Sequence, residues 1–403
     1  MIPQITEVRV RHYKSIDQAR VSLQPFTALV GPNGSGKSNF VDSLAFVQES
    51  LSESVELAFK NRGGIAAVRR KSTGHPTHIG LGLSIRLPDH GRAEYGFEIA
   101  AKKERQFSIA KERCTVWPFM GNAISFDVQN GTFRKEIPGI RAKVAPDRLA
   151  LFAASATEEF RPVFDFLSSM RFYSVLPFRL RELQDPDAGL YLKRDGSNAA
   201  AVLKRLQTDS ASNGKYERIC NLLSKIVDGL ARVEHRSVGQ KETLRFKQEV
   251  GTKNPWTFDA LNMSDGTLRA LGLLLAVYQP GNPSVIAVEE PEATVHPAVM
   301  EAIVDVLTDA SKERQVLVTT HSPDILDQKE LADEQIKVFA VERNRTHICP
   351  LAESSRQAVR KNLYTPGELL RADELNPDEE AAEANAEQFD LFAAEDHRGE
   401  DEG

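Results

Sequence analysis

The sequence predicts an α/β fold with a mixed β-sheet core, an antiparallel β subdomain, a helical insertion and no long coiled coil. Three observations carry that expectation. The apolar run Phe26–Val30 passes through a glycine-rich turn into the helix-like Asn39–Phe46. Three later runs, Ser284–Val288, Gln315–Thr319 and Ile336–Val341, have the unbroken hydrophobicity of strands buried on both faces. Runs at His78–Arg86, Ala93–Ala101 and Phe107–Val116, separated by Gly and Asp, read as an antiparallel meander.

The remaining elements follow in order. Gln4–Arg11 and Ala19–Leu23 alternate apolar and polar residues, as half-buried strands do. The helix after the glycine turn is expected to reach Ser50, and Gly63–Pro76 reads as a basic loop. Between Pro146 and Met170, Leu149, Phe152, Phe160, Val163, Phe164 and Leu167 recur at helical spacing. A second helical stretch, Ser197–Leu230, breaks near Ser210–Gly214, and neither stretch sustains a heptad. Strands are expected again at Ala231–Val238 and Thr243–Val250, helices at Met263–Tyr278 and Ala298–Ser311, and a last strand at His347–Leu351. This divides the chain into an N-terminal lobe (1–145), a helical insertion (146–235), a C-terminal lobe (236–372) and a tail (373–403). The Asp, Glu, Ala and Asn content of the tail predicts disorder.

Length and composition bound the class. A chain of 403 residues, 41% apolar and 27% charged, is long enough for a large core or two domains and has an ordinary soluble composition. No apolar run approaches the roughly 18 residues that span a bilayer. Met1–Glu7 lacks the features of a signal peptide. Cys114, Cys220 and Cys349 are too scattered for a disulfide framework or a metal knuckle, so a reducing cytoplasm is the expected location. The net charge of −6 is uneven: from Asp373 onward there are 13 acidic residues and one basic residue. The body is therefore mildly basic, which is compatible with nucleic-acid contact.

The glycine turn, Gly31-Pro-Asn-Gly-Ser-Gly-Lys-Ser38, has the G-x-x-x-x-G-K-S spacing of a P-loop between a strand and a helix. Backbone N–H groups across Asn33, Gly34, Ser35 and Gly36 can converge on phosphate oxygens, and the helix N-terminus adds partial positive charge. Lys37 would reach the β- and γ-phosphates, and the Ser38 hydroxyl would coordinate Mg2+. A nucleoside triphosphate is the expected ligand. Glu289 and Glu290 then end a buried strand in the Walker B position. The first would support Mg2+ directly or through water, and the second would polarise the attacking water. His321 ends the next buried strand and is expected to sense the γ-phosphate by hydrogen bonding. Ser264 and Gly266, in Leu261–Arg269, open a helix and can form a second anion site, although Ser-Asp-Gly is also a common helix cap.

Taken in this order, the P-loop, Ser264-Asp-Gly-Thr-Leu-Arg269, Glu289-Glu-Pro-Glu292 and Thr320-His-Ser-Pro323 resemble the SMC/RecF/OLD branch of ABC-type ATPases. Within that branch the chain is similar to short AAA-family ATPases of bacteria and archaea, and Val8–Ile16 matches their first strand. The resemblance extends over residues 1 to about 372. It implies an ABC-type ATPase head that hydrolyses ATP with Mg2+. It also implies a head-to-tail homodimer in which ATP on one P-loop is closed over by Ser264, Asp265 and Gly266 of the other copy. Ala293–Pro297 takes the D-loop position, where relatives often carry Asn-Gly-Leu-His. Gln184 is the candidate Q-loop metal ligand, with Gln106 as its rival.

The role so implied is a switch in DNA repair or anti-phage defence that works with a separate nuclease or Toprim-like effector, since no D-x-D follows the last core strand. The alternative is a RecF-like DNA-binding clamp or loader at replication structures. Arg69, Arg70, Lys71, Arg161, Arg171, Arg179 and Arg181 read either as DNA-phosphate contacts or as solvated faces. Gln388–Phe392 resembles the peptide by which bacterial proteins dock on the replicative sliding clamp, with Gln388, Leu391 and Phe392 as anchors. No membrane partner is expected.

Overall fold

The computed structural model describes residues 2–71, 78–88, 90–102, 106–137, 145, 147–249, 255–327, 331–387 and 389–392. In chain order these form β1 (Gln4–Tyr13), β2 (Ile16–Ser22), β3 (Phe26–Val30), α1 (Lys37–Ser52), α2 (Val55–Lys60) and α3 (Ile65–Val68). A meander follows: β4 (His78–Leu87), β5 (Gly91–Ala101), β6 (Phe107–Trp117), β7 (Ile124–Gln129) and β8 (Thr132–Lys135). Next come α4 (Ala150–Ala154), α5 (Arg161–Ser168), β9 (Arg171–Tyr173), α6 (Pro177–Arg181), α7 (Ala199–Thr208) and α8 (Asn213–Ile226). They lead to β10 (Leu230–Val238), β11 (Lys241–Gln248), β12 (Trp256–Asp259) and α9 (Asp265–Tyr278). The chain continues through β13 (Val285–Glu289), α10 (Pro297–Ala310), β14 (Gln315–Thr320), α11 (Pro323–Leu326), β15 (Ile336–Glu342) and β16 (Arg345–Cys349). Helices α12 (Glu353–Arg360), α13 (Pro366–Arg371) and α14 (Glu379–Glu387) close it.

The doubly apolar runs are the parallel centre of a large mixed sheet of order β8-β7-β6-β5-β4-β1-β2-β16-β15-β3-β14-β13-β9. Strands β15, β3, β14, β13 and β9 run parallel, and every residue of β3, β13 and β14 is buried. Their unbroken hydrophobicity has a direct cause, because successive residues face different cores. Leu29, Ala287 and Leu317 join the core beneath α1, α2 and the meander. Ala28, Val30, Ile286, Val288, Val316 and Val318 join the core formed with α7, α8, α9 and α10. Strands β10, β11 and β12 form a separate small antiparallel sheet.

The expected antiparallel meander is present and extends the main sheet, since β1 pairs with both β2 and β4. Several elements differ from the sequence reading. Strand β9 is three residues long, too short for any periodicity to show. Strands β7, β8 and β12 were likewise absent from the expectation, and the expected division at 235/236 falls inside β10. The tail from 373 is not disordered across its described part, which corrects the reading from composition. Helix α14 packs on β2 and β16, with Glu379, Glu380 and Glu383 exposed and Ala382 and Ala386 half-buried. Small residues at four-residue spacing make a packing face that an acidic average conceals. Gln388 lies outside the described residues, but Leu391 is buried and its neighbour Phe392 packs on Lys111. Among the described residues no helix is long and apolar enough to cross a membrane.

Gln315, at the start of β14, ties this strand to the start of β1 and to the turn between β2 and β3. Its Oε1 accepts the Ile5 N–H at 2.9 Å, and its Nε2 donates to Ile5 O at 2.8 Å and Gln24 O at 3.1 Å. The residue is fully buried, so its loss strands backbone groups that water cannot reach. Gln315→Leu is expected to destabilise the fold by about 2–4 kcal/mol, measured as a lower urea midpoint at unchanged slope.

Candidate functional site

The parallel strands deliver their functional residues to one edge. Strand β14 lies between β3 and β13, so the P-loop that follows β3, the acids that end β13 and the histidine that follows β14 come together. Helix α1 begins at Lys37 with Gly36 as its N-cap, and no side chain caps it. Its first-turn N–H groups are therefore left for an external acceptor. Gly36 has φ +102°, and a Cβ there would lie 2.3 Å from Thr346 Oγ1, so only glycine fits this turn against β16. Ser35 Oγ is buried and has no hydrogen-bond partner, while Ser38 is exposed. Lys37 Nζ donates to Gly31 O at 2.6 Å and Pro32 O at 3.0 Å. Burial lowers its pKa, and Glu290 and Glu292 act in the opposite direction. An uncapped helix N-terminus, an orphaned hydroxyl and a buried lysine beside acids fit a phosphate chain with its cation.

Glu289 is buried at the end of β13, and its Oε1 takes an ion pair with Arg194 at 2.6 Å. Glu290 follows with φ +44°, a left-handed conformation unusual for a residue with a side chain. Its N–H is held by Thr319 O at 3.0 Å and Thr319 Oγ1 at 3.2 Å, and its side chain is 40% exposed. The turn swings this carboxylate out of the strand direction into the cleft. His321 Nδ1 lies 3.9 Å from Glu290 Oε1 and 3.5 Å from Glu292 Oε1. Glu292 also accepts from Thr320 Oγ1 at 2.7 Å and from the His321 N–H at 3.1 Å, while its buried Oε2 has no partner. It fixes the turn that carries His321.

The Ser-Asp-Gly turn begins α9. Ser264 Oγ accepts the Thr267 N–H at 3.2 Å as the N-cap, and Ser264 and Asp265 are exposed. A Cβ on Gly266 would lie 3.1 Å from Thr294 O, so this turn packs directly on the D-loop segment. Thr294 itself has φ +63°, strained for a β-branched residue. Arg181, on α6, holds the turn from outside by donating to Met263 O at 2.8 Å and pairing with Asp265 at 2.5 Å.

Three functional residues escaped the sequence reading. Arg269, one turn into α9, is buried and donates to Val175 O at 2.5 Å, Glu289 O at 3.1 Å and Glu290 O at 2.6 Å. It locks the start of α9 to the end of β13. Burial lowers its pKa, and Glu292, Glu290 and Glu289 oppose that shift. Arg194 bridges Glu289 and Asp42, the latter at 3.7 Å. Asp42 also pairs with Lys14 and Arg62; burial alone would raise its pKa, but these cations hold it below the usual carboxylate range. Glu292 is the third. No local spacing assigns their roles, because their partners are distant in sequence: carbonyls for Arg269, carboxylates for Arg194, and the Thr320 hydroxyl and His321 N–H for Glu292.

Gln184, the expected Q-loop residue, is engaged within the protein. Its Oε1 accepts the Ala200 N–H at 2.8 Å and its Nε2 donates to Arg179 O at 3.1 Å, which commits a buried amide to joining α6 and α7. Gln106 lies at the β5–β6 turn, where its carbonyl accepts the Lys102 N–H. Several basic candidates are also committed internally. Arg70 donates to Ser15 O and Asn344 O, Arg171 stacks on Tyr191 at 3.8 Å, and Arg161 pairs with Asp165. Beside Gly34, a cleft of about 360 Å³ is lined by Lys14, Arg69, Arg70, Lys71, Asn344 and Arg345.

Comparison with known proteins adds three findings. A family model described as "AAA domain, putative AbiEii toxin, Type IV TA system" matches residues 26–327, more than half of the chain. The Old nuclease of Escherichia phage P2 is 22% identical over 360 residues, covering 83% of this chain and 59% of the nuclease. The chain thus spans little more than half the length of that relative. Among solved structures, an SMC head bound to the C-winged helix domain of ScpA superposes with a TM-score of 0.55 at 13% identity, covering 88% of this chain and 99% of that one. An SMC head with an extended coiled coil, bound to the C-terminal domain of ScpA derived from Pyrococcus furiosus, gives 0.55 at 11% identity, covering 90% and 100%. At such identities the likeness is one of fold.

Arg269→Met keeps the length of the side chain but removes its donors to the Val175, Glu289 and Glu290 carbonyls. It is expected to cost about 2–4 kcal/mol in urea denaturation. Hydrolysis is expected to fall with it, while binding of a fluorescent ATP analogue is expected to persist.

Proposed function

Because the chain belongs to this AAA-domain family of SMC/OLD-type P-loop ATPases, we propose that it binds ATP with Mg2+, hydrolyses it slowly and closes as a dimer while ATP is bound. The convergence of Lys37, Glu290 and His321 on one sheet edge is the observation that carries this reading. A bound Mg2+ would neutralise phosphate charge and draw the leaving oxygens' developing charge onto itself. The protein does the rest. First-turn N–H groups of α1 and the Ser35 hydroxyl hold phosphate oxygens, and Lys37 turns from its carbonyl partners towards the terminal phosphates. Ser38 and Glu289 hold the cation, so Arg194 must yield its place on Glu289. Glu290, swung into the cleft, orients and polarises water. His321, fixed through Glu292, hydrogen-bonds the terminal phosphate.

The second jaw is Ser264, Asp265 and Gly266 of another copy. The exposure of Ser264 and Asp265 supports this, as does Leu261, 73% exposed beside them. Contact between Thr294 and Gly266 supplies a route by which closure at one turn is felt at the acids. Beyond the head itself, the relation to the Old nuclease supports a role in anti-phage defence or DNA repair with a separate nuclease or Toprim-like effector. A cytoplasmic location follows from that role. The RecF-like alternative rests on fewer residues than the sequence implied, since Arg70, Arg161 and Arg171 are engaged within the chain.

Lys37→Ala is expected to abolish ATP binding in a calorimetric titration. Glu290→Gln is expected to bind ATP normally, to lose about 10²- to 10⁴-fold in turnover, and to elute as a dimer with ATP and Mg2+. An active Glu290→Gln variant that stays monomeric in ATP would contradict the proposal.

A further inference from the structure

The outer face of the meander holds a recess that takes no part in the ATPase site. Gly80 and Gly82 lie on β4, and Gly82 is paired across the ladder with Gly96 on β5. Where side chains would stand, the strand floor is bare, and Leu391 fills the space. A Cβ on Gly80 would lie 2.7 Å from Leu391 Cδ2, one on Gly82 2.9 Å from Leu391 O, and one on Gly96 3.4 Å from the same oxygen. Leu391 is only 3% exposed, although its neighbour Asp390 is exposed.

The rim is cationic. Lys111 Nζ stands 4.0 Å from the Phe392 ring centroid and Arg113 5.8 Å from it, and Arg113 donates to Phe392 O at 3.5 Å. Arg11, opposite Gly80 in register, lies 6.0 Å from the Phe389 ring. Burial lowers the pKa of both Arg11 and Lys111, and the charge of Asp390 works against that shift in each. Arg11, Lys111 and Arg113 are crowded together with Glu98 and Asp127 as their sheet partners, so an incoming carboxylate adds needed countercharge. The bare floor matches the leucine of the segment that occupies it, and the cationic rim matches that segment's aspartate and two aromatic rings.

We propose that this glycine-floored recess is a docking site for a short acidic peptide of pattern aromatic-Asp-Leu-aromatic, and that Phe389–Phe392 of the same chain is its resident ligand. One buried leucine with contacts at the rim makes a releasable latch. Tethering through α14 makes its closure intramolecular, so the resident segment excludes an outside peptide of the same pattern.

The full chain carrying Leu391→Asp, which releases the segment without altering the recess, is to be titrated with a fluorescein-labelled peptide of residues 385–403 and followed by anisotropy. The peptide is expected to bind this variant at least about tenfold more tightly than the wild type, whose recess is filled. Adding Gly80→Ala should abolish the gain, because its methyl fills the floor, where the nearest atoms after Leu391 are those of Arg11 at 3.5 Å, an ordinary contact. Circular dichroism melting establishes that each variant is folded, and Lys111→Glu with Arg113→Glu supplies a second route to the same loss. Equal binding to wild type and Leu391→Asp, or binding indifferent to both Gly80 and the rim charges, would overturn the proposal. Protease protection of the wild-type tail that rises with protein concentration would assign the segment to a second copy and overturn docking in cis.

Discussion

Three carboxylates at and just beyond the end of one buried strand, β13, set the terms for everything around them. Glu289, Glu290 and Glu292 converge where β13 and β14 stop, and a partly buried cleft does not tolerate such a concentration of negative charge without matched cations. Arg194 answers Glu289 directly. Lys37 and Arg269, both buried, lie within the field of the other acids. Each cation also belongs to a different element: the P-loop helix, the loop before α7, and the helix opened by Ser264. Balancing the charge therefore assembles the architecture, and any ligand bringing anionic phosphates and a divalent cation must rearrange the same contacts.

Backbone geometry sharpens that arrangement. Glu290 leaves the strand with a left-handed turn, which costs roughly 1 kcal/mol for a residue with a Cβ. Thr319, from the neighbouring strand, offsets it with two acceptors for the Glu290 N–H, and Arg269 binds the Glu290 carbonyl. The strained residue is thus specified from both sides, which is how such a conformation persists. Thr294, also left-handed, leans its carbonyl on Gly266, so the turn after the acids and the turn that begins α9 move as neighbours.

Much of this was legible in the sequence because it depends on short-range spacing. The P-loop, the acids of β13 and the histidine after β14 each follow an apolar run at a fixed offset, and parallel pairing then brings the offsets together. Arg269, Arg194 and Glu292 were not legible in the same way. Arg269 binds main-chain carbonyls, which leave no trace in residue identity, and Arg194 reaches an acid from a loop without pattern. Gln184 stood in a plausible segment, yet its amide is spent on the Ala200 N–H and the Arg179 carbonyl. The tail misled through averaging: its charge is on the outside of α14, while alanines, Leu391 and the phenylalanines beside it supply the contacts.

The central claim is that the P-loop site is half of a site and that Ser264 of a second copy supplies the remainder. Mixing two inactive variants tests it most directly. Lys37→Ala removes the P-loop half and Ser264→Arg removes the other, so a mixed dimer retains one intact composite site with both wild-type halves. The account predicts that neither variant hydrolyses ATP alone and that an equimolar mixture regains a measurable fraction of wild-type turnover. A mixture as inactive as its components, or a Ser264→Arg variant that hydrolyses ATP unaided, would contradict it.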